Sequence, residues 1–203
     1  MISRDQIQEY VYALYESNKN IFFIAPPGFG KTGLFMRPIL DDLIKDKKNC
    51  LILSSNISVS EQIQTDVYHM IEKRGMKAFV EKNSKKFILL LNGSLIEFKT
   101  HFDQWYDWSE YKQEKTYDIL FVDSMYNITK GSSNRPSLKE LLEKYDKIIA
   151  TDIVDFTPSS VNTELFFETI KEKEGSYQYI NVQTSDDIMM EIRKAKLKKL
   201  AKR

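Results

Sequence analysis

A single cysteine, Cys50, leaves the sequence without an internal disulfide framework. The fold must therefore rest on a packed core, and this usage fits a reducing compartment. Cys50 stands beside Leu51-Ile52-Leu53 and reads as a core thiol rather than a reactive one. No apolar run approaches the ~18 residues of a membrane span. The first residues, Met-Ile-Ser-Arg-Asp-Gln, do not read as a signal peptide. A soluble, cytoplasmic protein with no membrane partner is expected. The two histidines, His69 and His101, are isolated, so no metal-ligand cluster is visible. Neither sign of charge dominates, at 30 basic against 29 acidic residues, so any nucleic-acid surface must be local. Five prolines and seven glycines are spread without clustering, which leaves no obvious linker, and no internal repeat is seen.

What the sequence does have is concentrated in residues 21–32, Ile-Phe-Phe-Ile-Ala-Pro-Pro-Gly-Phe-Gly-Lys-Thr. Ile21 to Ile24 read as a short strand buried on both faces. A turn on Pro26, Pro27, Gly28 and Gly30 follows, and Lys31-Thr32 open an amphipathic helix. A strand, a glycine loop and a helix N-terminus make an anion site: N–H groups converge, the helix dipole is positive there, and Lys31 adds a full charge. The phosphate-binding loop pattern is Gly, four residues, then Gly-Lys-Ser/Thr. Ala25 takes the first position, so the strict pattern is missed by one small residue, while Gly30-Lys31-Thr32 is intact. Lys31 is expected on the β- and γ-phosphates of ATP, and the Thr32 hydroxyl on Mg2+. Ala25, Gly28, Phe29 and Gly30 would line the same site.

Residues 3–17 read as a first helix, with Ser3 as N-cap and Gln6 as its capping-box partner. The helix after Lys31 contains Pro38, which is expected to kink or restart it. Cys50 to Leu53 is a second buried strand, and Ser60 to Arg74 a helix. Asn92-Gly93, between Phe87–Leu91 and Leu95–Phe98, signals a hairpin. Asp118 to Asp123 is a third buried strand, ending in a carboxylate placed to serve a metal ion. Ser137 to Tyr145 reads as a short helix, Lys147 to Thr151 as a strand ending at Asp152, and Val161 to Lys173 as a helix. Tyr177 to Val182 is a last strand, and Asp186 to Arg203 a helix with acids first and bases last. Alternating strands and helices imply an α/β fold with a mostly parallel sheet, helices on both faces and an inserted β-hairpin.

Arg4 to Gln64 resembles the start of the first RecA-like lobe of a superfamily-two helicase. Ala25-Pro26-Pro27-Gly28-Phe29-Gly30-Lys31-Thr32 is similar to that family's Ala-Pro-Thr-Gly-Ser-Gly-Lys-Thr. The resemblance implies that Gln8, or alternatively Gln6, reads the adenine. It also implies that Ser54 and Ser55, in the Ser-Ser-Asn stretch after the second strand, hold nucleic-acid phosphates. Asp118 to Asp123 matches the strand leading into the family's acidic box. Ile148 to Pro158 resembles the segment that couples hydrolysis to movement. Viral terminase large subunits, which pump DNA into capsids, are similar too: Asn92-Gly93-Ser94 stands where they carry a hairpin before the acidic strand. A terminase-like chain would work in the host cytoplasm.

Two departures matter. Ser124 stands where both families have the glutamate that orients the attacking water, and a serine has no charge for that role at neutral pH. Asp152 is the substitute base if its strand neighbours that of Asp123; its bland reading is a solvated turn residue. After residue 160 about forty residues remain, too few for a second lobe or a nuclease. A lone RecA-like lobe over 1–183, with a basic C-terminal helix or tail over 184–203, is therefore expected. A second ATPase lobe or subunit, from another chain or a homo-oligomer, would complete its site. Lys130 and Arg135, in the polar loop after Asp123, are candidate phosphate contacts, with DNA the expected nucleic acid. The aromatic stretch Phe102 to Tyr111 reads as packing rather than base stacking, because its charges are mostly acidic. A nucleic-acid-directed ATPase lobe is the preferred function. A nucleotide-binding subunit without turnover is favoured by Ser124, and a small-molecule kinase is disfavoured by a lid-like loop with one arginine.

Overall fold

The computed structural model describes residues 3–17, 20–54, 56–75, 78–79, 87–100, 117–123, 145–152, 177–182 and 185–201. Its elements in chain order are α1 (Arg4–Ser17), β1 (Asn20–Ile24), α2 (Lys31–Lys45), β2 (Asn49–Ser54), α3 (Ile57–Lys73), β3 (Ala78–Phe79), β4 (Phe87–Leu90), β5 (Leu95–Thr100), β6 (Ile119–Val122), β7 (Lys147–Asp152), β8 (Tyr177–Asn181) and α4 (Ser185–Ala201). The strands form one sheet in the order β3-β4-β5-β2-β6-β7-β1-β8. The pairings from β5 across to β8 are all parallel. The β3–β4 and β4–β5 pairings are antiparallel.

Strict alternation explains why these apolar runs are strands. Ile21, Phe23, Cys50, Ile52, Ile119, Phe121 and Ile149 belong to one buried cluster with α1, α2, α3 and the start of α4. Phe22, Leu51, Leu53, Leu120, Val122, Ile148 and Ala150 form a second cluster on the other face with Tyr117 and Tyr145. A sheet buried on both faces needs runs without polar interruption, which is how β1, β2 and β6 read. Among the described residues, helices cover the first face. The expected helices over 137–145 and 161–173 lie outside the described residues, apart from Tyr145. Ile188 of α4 is buried in the first cluster, so the C-terminal helix begins as part of the core.

Helix boundaries follow their caps. Ser3 and Gln6 form the expected reciprocal box: the Ser3 N–H donates to Gln6 Oε1 at 3.1 Å and the Gln6 N–H to Ser3 Oγ at 3.2 Å. α3 begins at Ile57, three residues before the expected Ser60, because the Asn56 side chain accepts the Val59 N–H at 3.0 Å. α2 does not restart at Pro38 but runs unbroken from Lys31 to Lys45. The β4–β5 turn is a three-residue loop: the Gly93 N–H donates to the Leu90 carbonyl and the Leu90 N–H to the Ser94 carbonyl, each at 2.9 Å. Its side chains close the far end of α2. The Asn92 amide and the Ser94 hydroxyl donate to the Leu43 carbonyl at 2.6 and 2.8 Å. That carbonyl is in the last turn of the helix, where such groups lack an intrahelical partner. No described helix is long and apolar enough to cross a membrane.

Candidate active site

The topology brings three carboxyl ends together. β7 lies between β1 and β6, with Ile24 of β1 level with Asp152 and Val122 of β6 level with Ala150. The loop of residues 25–30, Asp123 and Asp152 therefore share one edge of the sheet. Binding sites of open α/β sheets form in this place, outside the carboxyl ends of the strands.

The loop is shaped by its glycines and anchored by its phenylalanine. Gly28 and Gly30 have φ of 77° and 79°, in the left-handed region that a side chain disfavours. Between them the Phe29 N–H donates to the Pro26 carbonyl at 3.3 Å. The half-buried Phe29 ring packs on Phe23 at 5.9 Å, and Phe23 packs edge-on against Phe35 of α2 at 5.4 Å. Ala25 is fully buried among the same residues, so a small apolar group suits the position that the strict loop pattern gives to glycine. Gly30 is the N-cap of α2 and has no side chain to close the first turn.

Lys31 leans back over the loop, its Nζ donating to the Ala25 carbonyl at 2.9 Å and the Pro26 carbonyl at 3.2 Å. Thr32 Oγ1 donates to Asp123 Oδ1 at 2.9 Å, joining residues 91 apart in the chain. The Asp123 N–H donates to the Leu53 carbonyl at 2.8 Å. Thr151, fully buried, places Oγ1 3.4 Å from Asp123 Oδ1 and from the Val122 carbonyl. Burial pushes the Asp123 carboxyl above its ordinary range, while the Thr32 hydrogen bond, the Lys31 charge and the Thr151 hydroxyl act in the opposite direction.

A hydroxyl and a carboxylate in contact beside a lysine suit Mg2+, a hard cation that takes one or two protein oxygens and completes its shell with water and phosphate. Among the described residues no group of three or more His, Cys, Asp or Glu side chains is placed to hold a metal. Thr32 and Asp123 would thus hold Mg2+ with water and phosphate oxygens completing its shell.

The remaining sequence-based candidates are placed as follows. Gln8 is buried between α1 and α2, and its Nε2 donates to the Leu34 carbonyl at 2.9 Å. Gln6 is exposed and engaged in the α1 cap. Ser54 is fully buried, its hydroxyl 3.4 Å from the Asn56 and Lys99 carbonyls. Ser55, Ser124, Lys130 and Arg135 lie outside the described residues. Two contributions were missed from sequence. Thr151 touches Asp123, and a threonine next to a strand-end aspartate was its only signal. Asn92 and Ser94 cap α2, which the turn motif does not reveal.

Residues 5–101 match the DEAD/DEAH box helicase family. The large terminase of a thermophilic bacteriophage superposes over 90% of this chain and 46% of its own, with a TM-score of 0.67 and 13% identity. The fold is that of a RecA-like, helicase-type ATPase domain. The same terminase in complex with ATP-gamma-S gives a TM-score of 0.64 at 12% identity, over 91% of this chain and 45% of that one. The Hef helicase domain of Pyrococcus furiosus matches 93% of this chain and 41% of its own, with a TM-score of 0.54 and 16% identity. At these identities the likeness is one of fold, and this RecA-like chain spans less than half the length of each. No curated protein matches it at the sequence level.

Proposed function

We propose that this lobe binds ATP with Mg2+ at the loop of residues 25–32 and acts as a nucleic-acid-directed ATPase of helicase type. The observation that carries the reading is the Thr32–Asp123 hydrogen bond beside Lys31, which joins the phosphate loop to the acidic strand. On ATP binding, Lys31 exchanges the Ala25 and Pro26 carbonyls for phosphate oxygens. The N–H groups of the first turn of α2 face the same phosphates, with the helix dipole behind them. Thr32 and Asp123 would hold Mg2+, which would supply charge neutralisation at the phosphates. Asp123 must be ionised to do so, and Lys31 and Thr32 favour that form against its burial.

Turnover needs a group to orient water, and Ser124 has no charge to supply. Asp152 is the proposed substitute, because β7 does neighbour β6 and ends beside β1. The candidates for nucleic-acid contact are Ser54, Ser55, Lys130 and Arg135, with DNA as the proposed partner; Ser54 would have to leave its buried position to serve. A second lobe or subunit would complete the site. The fold shared with large terminases favours a second reading, a DNA-packaging motor, in which that partner is another copy of the chain. A nucleotide-binding subunit without turnover is the third, favoured by Ser124.

The deciding experiment is steady-state ATP hydrolysis with Mg2+, with and without single- and double-stranded DNA. DNA-stimulated turnover that Asp152→Asn abolishes is the expected result. ATP binding without turnover would establish a nucleotide-sensing subunit instead, and a gain on Ser124→Glu would count against a relocated base.

A further inference from the structure

We propose that Gln8 is a positioning residue for the phosphate-binding helix: its side-chain amide replaces the backbone hydrogen bond that Pro38 withholds from α2. In an α-helix the N–H of residue 38 would serve the carbonyl of Leu34. Proline has no N–H, so that carbonyl is left without its helical donor. Pro38 and Leu34 are both buried. A buried carbonyl without a donor is costly, and water has poor access to this one. Gln8, only 8% exposed on the facing side of α1, donates Nε2 to it at 2.9 Å. The acceptor also orients the amide, because only its NH2 end can face a carbonyl.

The location gives this bond its consequence. Leu34 lies in the first turn of α2, two residues after Thr32. Its N–H donates to the Gly30 carbonyl at 3.0 Å, within the phosphate loop. Leu34 is thus held from the loop side through its N–H and from α1 through its carbonyl. A shift there moves Lys31 and Thr32 directly. The effect on binding rests on the proposed nucleotide site; the Gln8–Pro38 link itself does not.

The test is a double-mutant cycle of Gln8→Leu and Pro38→Ala in the full chain. It is read as Tm without nucleotide and as affinity for ATP and GTP. Gln8→Leu alone is expected to lower Tm by roughly 3–8 °C. It should weaken ATP and GTP binding alike, by about three- to tenfold. With Pro38→Ala, residue 38 regains an N–H for Leu34. The same Gln8→Leu change should then cost less than half as much Tm, and affinity should recover. Equal Tm losses in both backgrounds would overturn the proposal. So would a loss of ATP over GTP preference that Pro38→Ala does not relieve, since that marks Gln8 as a base contact. If Gln8→Leu alone fails to fold, recovery with Pro38→Ala supports the link, and failure in both backgrounds overturns it. Unchanged ATP affinity in Lys31→Ala would remove the nucleotide site, yet the Tm cycle would still judge the Gln8–Pro38 link.

Discussion

Helices α2 and α3 both begin at the carboxyl edge of the sheet, shortly after a parallel strand, yet their first turns are finished differently. α3 closes itself: Asn56 is extended, with φ of −158°, and its side chain accepts the Val59 N–H. α2 starts from Gly30 in the left-handed region and has no side-chain cap. A capped turn already directs one of its free donors to its own side chain and so offers one fewer to an anion. A turn that leaves them uncapped, beside a lysine and a carboxylate-bound threonine, is organised for a ligand. The two ends of α2 differ in the same way, because Asn92 and Ser94 close its last turn from the β4–β5 loop. The helix is fastened at its last turn and has no side-chain cap at its first, where the phosphate contacts are proposed.

Four measurements would break or sharpen this contrast. The largest effect is expected from Lys31→Ala. Removing the ammonium should weaken ATP affinity by about a hundredfold or more, read by calorimetry, with the fold retained. Unchanged affinity would mean that the open turn of α2 is not an anion site. Asp123→Asn comes next and should move function and stability in opposite directions. Because burial raises the Asp123 carboxyl above its ordinary range, its stabilising contribution is complete at acid pH and is lost as pH rises through the raised value. The amide should therefore raise Tm at neutral pH without nucleotide, flatten this part of the pH dependence, and abolish the Mg2+-dependent gain in ATP affinity. A lower Tm at neutral pH would show that the carboxylate is stabilised in place.

Smaller effects belong to the closed ends. Ser94→Ala removes a buried donor from the Leu43 carbonyl and an acceptor from the Lys48 N–H, which lies 3.2 Å away. A loss of roughly 1–2 kcal/mol in denaturant unfolding is expected. Asn56→Ala should cost about 1 kcal/mol and about 2–4 °C in Tm, with ATP affinity unchanged. A change in ATP affinity from Asn56→Ala would erase the distinction between the two helix starts.

Much of this was legible in the sequence because the signals were local. A buried strand needs only its apolar run, and β1, β2 and β6 each announce themselves that way. The loop of residues 25–32 is legible for the same reason, since its chemistry lies in consecutive residues. The Ser3–Gln6 box is equally local. The start of α3 was misplaced because four hydroxyl or amide side chains close together, Ser54, Ser55, Asn56 and Ser58, compete for the cap. Only the structure shows that Asn56 takes it. Pro38 was legible as a helix breaker, but not the buried amide 30 residues upstream that makes it tolerable.

By itself, then, the sequence determined the strands, the phosphate loop and the acidic residue that follows β6, because each depends on neighbours along the chain. The tertiary structure decided the sheet order, and with it that β7 separates β1 from β6 and carries Asp152 to the same edge. It also decided the contacts of Thr32 and Thr151 with Asp123, the burial of Ser54 and the capping of α2 from a distant turn. The physical reason is common to all of these. Hydrogen-bond partners separated by tens of residues are chosen by strand order and helix packing, which no local pattern encodes.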